Sequence, residues 1–215
     1  MTRRESSAYP LIKRGLDVAL CSGALVVLSP LLALSAVAVK LNSPGPVLFR
    51  QERLGLKGRP FTMLKFRSMC LGAEAGGVYE AKGDARVTRV GRVLRRTSLD
   101  ELPQLVNIIR GEMSIIGPRP TLTYHPWPWD EYTPEQRRRF DVRPGVTGWA
   151  QINGRKTVDW PERIVLDVEY VGSMSAAFDA RILFRTVLKV LAMSDNVNTS
   201  ETACSPEATP GDKEA

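Results

Sequence analysis

The hydrophobic positions form two blocks separated by a polar stretch. From Val18 to Val39 the chain reads VALCSGALVVLSPLLALSAVAV, with no charged residue in it. As one straight helix this stretch extends about 33 Å, enough to cross a bilayer core. Two features argue for another arrangement. Ser29-Pro30 stands at the centre, where proline removes a helical hydrogen bond and kinks the chain. Basic residues flank both ends, Lys13 and Arg14 before the block and Lys40, Arg50, Arg53, Lys57 and Arg59 after it. A spanning helix would carry one cluster to the wrong side, whereas a helix–break–helix hairpin that enters and leaves by one face satisfies both. On pattern alone, span and hairpin stand even. In lipid the backbone groups freed at the break need partners, which Ser29 or a neighbouring helix can supply. A cleaved signal peptide ending at Ala36-Val37-Ala38 is a weaker reading, because the apolar stretch is long and Pro30 interrupts it.

The second block is AAFDARILFRTVLKVLAM, residues 176–193. Arg181, Arg185 and Lys189 recur every four residues, while Phe178, Ile182, Leu183, Phe184, Val187, Leu188, Val190 and Leu191 cover most of the remaining surface. The pattern predicts a helix lying in the headgroup plane, or equally a core helix with one solvated face. After Ser194 the chain turns polar and is read as a disordered tail, 195–215.

Glycines and prolines cut up the middle of the chain. Phe61 to Ser68 alternates as a short strand, which would project Lys65 and Arg67 from one face. Arg86, Arg89 and Arg92 are spaced to share one side of a helix. A further helix is expected to begin near Asp100, with Pro103 in its first turn and Leu105, Val106, Ile108 and Ile109 on its apolar face. HPWPWDEY, residues 125–132, suggests either a stiffened surface loop or tryptophans (Trp127, Trp129) at a lipid interface.

Composition narrows the chemistry. A formal charge of +7 over 215 residues points to an anionic partner. Cys21, Cys70 and Cys204 have neither metal spacing nor an even count, which fits a reducing compartment. A single histidine, His125, disfavours a Ser-His or Cys-His centre and zinc. No zinc finger, RNA-binding strand motif or heptad basic region accompanies the arginines, so nucleic acid is not the expected partner.

The stretch SLDELPQ, residues 98–104, places Asp100 and Glu101 directly after the basic run from Lys82 to Arg96. One reading is structural, because Ser98-x-x-Glu101 has the form of a capping box and acids are favoured at a helix start. The other is chemical. A carboxylate kept ionised by a helix N-terminus, with arginines holding phosphates and a divalent metal shielding charge, can attack a phosphoryl group.

KRGLDVAL, the apolar run broken at SP, FTMLKFRSM, TSLDELPQLVNIIRGEMSIIGPRP and VRPGVTGWAQINGR follow in order between Lys13 and Leu191. Together they resemble the bacterial sugar transferases called small monotopic phosphoglycosyl transferases. The resemblance implies transfer of a phospho-sugar from a UDP-sugar to a polyprenol phosphate, usually undecaprenyl phosphate, with release of UMP. It also implies Mg2+ as cofactor, a site on the cytoplasmic face of the bacterial inner membrane, and a role in starting a surface polysaccharide or glycoprotein glycan. It selects the re-entrant hairpin, broken at Ser29 and Pro30, over the span. Carried over to this chain, it makes Asp100 the nucleophile and metal ligand, Glu101 its catalytic partner and Arg119 of GPRP the cation of a phosphate loop. Lys65, Arg67, Arg95 and Arg143 become further phosphate ligands or structural cations. Lys13 and Arg14 fall where the chain meets anionic headgroups, with Asp17 as their expected partner. Gly145 and Gly148 allow a tight turn or close approach to a ligand, and Trp149 fills the core or stacks.

The fold expected from all this is α+β, predominantly helical with a small β-sheet, an N-terminal re-entrant helix-break-helix and interfacial amphipathic helices. Its divisions are an arm and hairpin over 1–41, a catalytic domain over 42–194 and a tail over 195–215. The large membrane domain of longer relatives is not present, so the hairpin is expected to be the anchor. Nothing in the chain names the sugar, and a homo-oligomer stays open. Two alternatives remain: direct single-step transfer with Asp100 only a metal ligand, and a catalytically inactive membrane-docked protein that binds polyprenol phosphate or acts as a scaffold.

Overall fold

The computed structural model describes residues 8–77, 84–154 and 159–191. The expected tail, 195–215, lies outside them, as does Lys82. The first apolar block forms two helices, α1 (Tyr9–Val27) and α2 (Ser29–Asn42), bent by 64° at Leu28. Among the described residues no single helix is long and apolar enough to cross a membrane, although this bent pair is so in combination. Pro30 sits in the first turn of α2, where its missing N–H costs nothing. Ser29 Oγ donates to the Val26 carbonyl at 2.8 Å, the role expected of it at the break.

Two short sheets follow where one was expected. β1 (Leu48–Leu54) pairs antiparallel with β2 (Pro60–Phe66), and β3 (Ser114–Ile116) pairs parallel with β4 (Gly145–Thr147). Between β2 and β3 lie α3 (Arg89–Arg96) and α4 (Gln104–Arg110). A one-turn α5 (Pro134–Arg137) precedes β4, and α6 (Trp149–Gly154), α7 (Trp160–Ser173) and α8 (Ala176–Leu191) complete the fold.

The bent pair α1–α2 packs against the rest of the chain. Cys21 of α1 is buried with Met63, Ile108 and Met113, and Val39 of α2 with Phe66 and Leu94. The opposite side of the hairpin is apolar and open, with Leu11, Ile12, Leu16, Leu20, Leu34 and Leu41 all exposed.

The basic and acidic residues of α1 find partners other than those expected. Lys13 pairs with Asp179 of α8 at 2.6 Å, and Tyr9 and Tyr170 donate to the same carboxylate. Arg14 donates to the Ile108 and Ile109 carbonyls, placing a cation at the C-terminus of α4. Asp17 is buried and accepts from Ser114 Oγ at 2.7 Å and from the Ile115 amide. These three side chains fasten α1 to α4, β3 and α8.

On α8, Ile182 is fully buried while Leu183, Phe184, Val187, Leu188 and Val190 are exposed. Arg181 and Arg185 are exposed, but Lys189 turns inward and donates to the Ile152 carbonyl, so the polar stripe is shorter than its spacing suggests. Trp127 and Trp129 also turn inward, packing with Leu54, Tyr132, Phe140 and Ile164. Trp129 covers Gly58, whose φ of +73° and missing Cβ admit the ring. Trp149 packs edge-on against Phe178 at 4.9 Å.

Gly145 and Gly148 do allow a close approach, but to the backbone rather than to a ligand. A Cβ at Gly148 would overlap the Gly117 carbonyl oxygen, and one at Gly145 the Gly117 amide. Gly148→Ala is therefore expected to lower stability by about 2–3 kcal/mol, read as a reduced unfolding midpoint in detergent. An unchanged midpoint would mean the two backbones are not in contact.

Candidate active site

The site is built on the turn between α3 and α4. The helix expected from Asp100 begins later, at Gln104, with Pro103 as its N-cap residue. Leu99–Glu101 forms one turn of 3-10 helix, entered through Ser98 in the left-handed region at φ 58°. The Ser98 side chain makes no cap hydrogen bond, so the capping-box reading does not hold; the chain's capping box is at Thr133 and Gln136, on α5. The dipole expected to keep Asp100 ionised is consequently not that of an α-helix starting there.

Asp100 is 8% exposed, and burial pushes its carboxyl up to about 6. Lys65 and Arg95 pull it down, while Glu101 beside it pushes it up. Lys65 Nζ binds Glu101 Oε1 at 2.7 Å, joining β2 to the turn. Arg95 is anchored on the same side by its bond to Ser68 Oγ at 2.9 Å.

A folded pKa raised above the ordinary carboxylate value means that ionised Asp100 costs stability. The cost is absent below about pH 4 and grows as pH rises through about 6. Asp100→Asn should therefore stabilise the protein in EDTA at pH 7.5, by on the order of 2–3 kcal/mol, with the gain vanishing near pH 4. Thermal unfolding at the two pH values checks this, and a variant less stable than the parent at pH 7.5 would contradict it.

Arg119 is exposed on the GPRP loop after β3. Its surroundings include a residue that spacing did not single out, Arg53 of β1. Arg53 Nη1 donates to the Pro120 carbonyl at 3.1 Å, and its Nε and Nη2 bind Gln51 Oε1. Burial and the neighbouring Arg119 hold its guanidinium down to about 9, against Tyr124 and Glu101, which favour its charge. Arg53 and Arg119 therefore place two cations close together near Glu101.

Asn107 was also missed. It is fully buried, accepts from the Leu64 amide, and donates to the Thr62 carbonyl and Glu112, thereby fixing α4 on β2. The only hint in the sequence is a polar residue at a core position of an otherwise apolar helix. Arg139 and Asp167 pair out of water at 2.6 Å, and Arg139 Nη2 also holds the Arg119 carbonyl at 2.9 Å.

Asp100, Glu101, Lys65 and Arg95 thus belong to one region, and Arg119 is joined to it through Arg53, which feels both Arg119 and Glu101, while two expected ligands lie elsewhere. β2 ends at Phe66, and Arg67 turns away to bind the Ser43 and Pro44 carbonyls where the chain leaves α2. Arg143 binds the Gly111 carbonyl and lines a separate cavity of about 630 Å³ with Tyr9, Lys13, Arg14, Asp17 and Lys57. Arg86 precedes α3 and pairs with Asp84, so it does not share a helical side with Arg89 and Arg92.

Among the described residues no group of three His, Cys, Asp or Glu side chains could hold a metal. Magnesium is commonly held by one or two carboxylates together with substrate phosphates and water, and Asp100 is a buried carboxylate at this turn.

The turn thus holds a buried acid among cations, with Arg119 nearby through Arg53. The family model for bacterial sugar transferases matches residues 8–193, and the chain belongs to that family and is a transferase enzyme. It is 46% identical over 195 residues to a UDP-glucose:undecaprenyl-phosphate glucose-1-phosphate transferase of Caulobacter vibrioides, covering 88% of this chain and 73% of that protein. It is 47% identical over 190 residues to the Escherichia coli K12 protein of the same name, covering 86% of this chain but only 41% of the relative. A UDP-N-acetylgalactosamine-undecaprenyl-phosphate N-acetylgalactosaminephosphotransferase of Aeromonas hydrophila is 42% identical over 190 residues, covering 86% and 45%.

Proposed function

We propose that the protein transfers a phospho-sugar from a UDP-sugar to undecaprenyl phosphate through a covalent Asp100 intermediate, releasing UMP. The observation that carries this reading is the buried Asp100 held between Lys65, Arg95 and Glu101. The relatives' names supply the donor and acceptor classes.

In the first step an Asp100 oxygen attacks the sugar-bearing phosphorus. The bond from that phosphorus to the bridging oxygen breaks, and UMP leaves with the electron pair. In the second step an oxygen of the lipid phosphate attacks the same phosphorus, and Asp100 leaves as a carboxylate. The products are a polyprenol-diphosphate-sugar and the restored enzyme. Lys65, Arg95 and Arg119 offset the charge that gathers when an anion approaches an anionic diphosphate. Glu101, oriented by Lys65, lies beside the nucleophile to receive the acceptor phosphate and take its remaining proton. Magnesium, held by Asp100 and the substrate's own oxygens, would supply further charge neutralisation.

The bent pair α1–α2 is the membrane element in this reading, a re-entrant hairpin that keeps both flanks on the cytoplasmic face of the bacterial inner membrane. Its open apolar side and that of α8 support the placement, since exposed apolar surface of this extent marks a contact. The product would begin assembly of an exopolysaccharide or other glycoconjugate; a Rhizobium leguminosarum relative, 42% identical over 191 residues, is named an exopolysaccharide production protein. The test is a panel of UDP-sugars with magnesium and undecaprenyl phosphate. One sugar giving UMP and a lipid-linked product supports the reading, and no product from folded protein with any sugar rejects it.

A further inference from the structure

α3 has two unlike faces. Its inner side is clamped to the hairpin: Leu94 is buried with Val39 and Phe66, and Leu32 and Ala36 of α2 pack against the same cluster. The Val90 amide donates to Asn42 Oδ1 at 3.1 Å, at the end of α2. Gly91 lies so close to the Ser68 carbonyl that any Cβ would overlap it. The outer side carries Arg89, Arg92, Val93 and Arg96, all exposed. The arginines fall at i, i+3 and i+7 and so share one face. Arg89 and Arg92 make no hydrogen bond or ion pair among the described residues.

We propose that this outer face of α3 is a docking surface for anionic lipid headgroups. The proposal rests on α1–α2 being the membrane-seated hairpin. The outer side of α2 exposes Leu34, Val37 and Leu41, which sets where lipid begins. α3 is fastened to the other side of that same helix, through Leu94 against Val39, Leu32 and Ala36, so a hairpin seated in lipid carries α3 with it to the interface. Val93, 60% exposed between the arginines, presents an apolar side chain to the interface. Nucleic acid offers the same phosphate chemistry, but the packing of the arginine-bearing helix on a helix whose far side is open and apolar, with Val93 exposed among the arginines, selects the membrane. α3 leads through Thr97 and Ser98 into the Asp100 turn, and its inward Arg95 belongs to the site. Lipid contact and the nucleophile therefore share one short helix.

The test uses the full chain with Cys70→Ser and Cys204→Ser, in phosphatidylcholine nanodiscs, with a fluorophore on Val93→Cys; Cys21 is buried and stays unlabelled. Shallow nitroxide-labelled phosphatidylglycerol should half-quench the probe at no more than about one-fifth the mole fraction needed with labelled phosphatidylcholine, the ratio implied by even a single arginine worth about 1 kcal/mol near the surface. Arg89→Gln with Arg92→Gln should abolish the difference. Equal quenching by the two lipids, a preference that survives the double substitution, or a probe that responds to duplex DNA at low salt instead of to lipid would overturn the proposal. A second probe on Val27→Cys, at the 76% exposed hairpin tip, should be quenched by deep nitroxide lipid whatever its headgroup. No quenching there rejects the hairpin reading itself, and with it the proposal. Quenching at Val27 without lipid preference at Val93 rejects the proposal alone. Neither readout depends on turnover.

Discussion

Asp100→Asn is expected to lower UMP release by at least about a thousandfold, or about 4 kcal/mol of transition-state stabilisation, while leaving the protein folded. The amide is nearly the same size and stays in the same turn, so packing with α3 and α4 is kept. It lacks the negative oxygen that attacks phosphorus, and it is a poorer ligand for magnesium. The variant should also be more stable than the parent in EDTA at neutral pH, because the ionised acid is held out of water. Loss of activity with gain of stability is hard to obtain from a structural role. Retained activity would favour another nucleophile, and an unchanged cellular role would favour a membrane-docked, inactive protein.

The second large effect is on stability. Arg139→Met is expected to lower the unfolding free energy by about 3–5 kcal/mol at neutral pH, because it leaves Asp167 charged and buried without a partner. Both side chains are 2% exposed or less. Burial pushes the Asp167 carboxyl up from its ordinary value, and Arg139 opposes that push. With the arginine removed, the folded acid takes up its proton more readily than the unfolded one. The deficit should therefore be largest at neutral pH and shrink as pH falls toward 4. Asp167→Leu in the same chain should recover most of it, since an apolar pair has no charge to desolvate. Denaturant unfolding in detergent at two pH values checks both statements, and a loss below about 1 kcal/mol would contradict them. Arg139 also holds the Arg119 carbonyl, so the single variant should lose activity beyond what its stability explains.

What could be read from the sequence, and what could not, follows from the range of the interactions. The break at Ser29-Pro30 is local chemistry, a missing N–H and a nearby hydroxyl, and it appears where the pattern places it. The resemblance picks out Lys65, Arg95 and Glu101 together with Asp100, and the fold brings these four to one turn although Lys65 lies far away in the chain. The partners of Lys13, Arg14 and Asp17 were not, because Asp179, the α4 carbonyls and Ser114 are distant in the chain. Asp17 lies one turn from Lys13, which made it look like the natural partner. Arg67 alternates with Lys65 on paper, yet the strand stops one residue short and Arg67 turns to Ser43 and Pro44. Trp127 and Trp129 in a proline-rich stretch suggest a surface, and only the fold brings Leu54, Phe140 and Ile164 to cover them. Arg53 gave no signal of its own, because its importance comes from the Pro120 carbonyl and Arg119 across the fold.

The central claim is that Asp100 carries the phospho-sugar between donor and acceptor. It is tested most directly by mixing the purified enzyme with magnesium and its UDP-sugar in the absence of any polyprenol phosphate and counting the UMP released. The covalent route predicts a burst approaching about one UMP per enzyme, a matching mass increase on the peptide containing Asp100, and neither in Asp100→Asn. UMP that appears only once the acceptor is added, with no mass change on the enzyme, would contradict it and leave Asp100 as a metal ligand in a direct transfer.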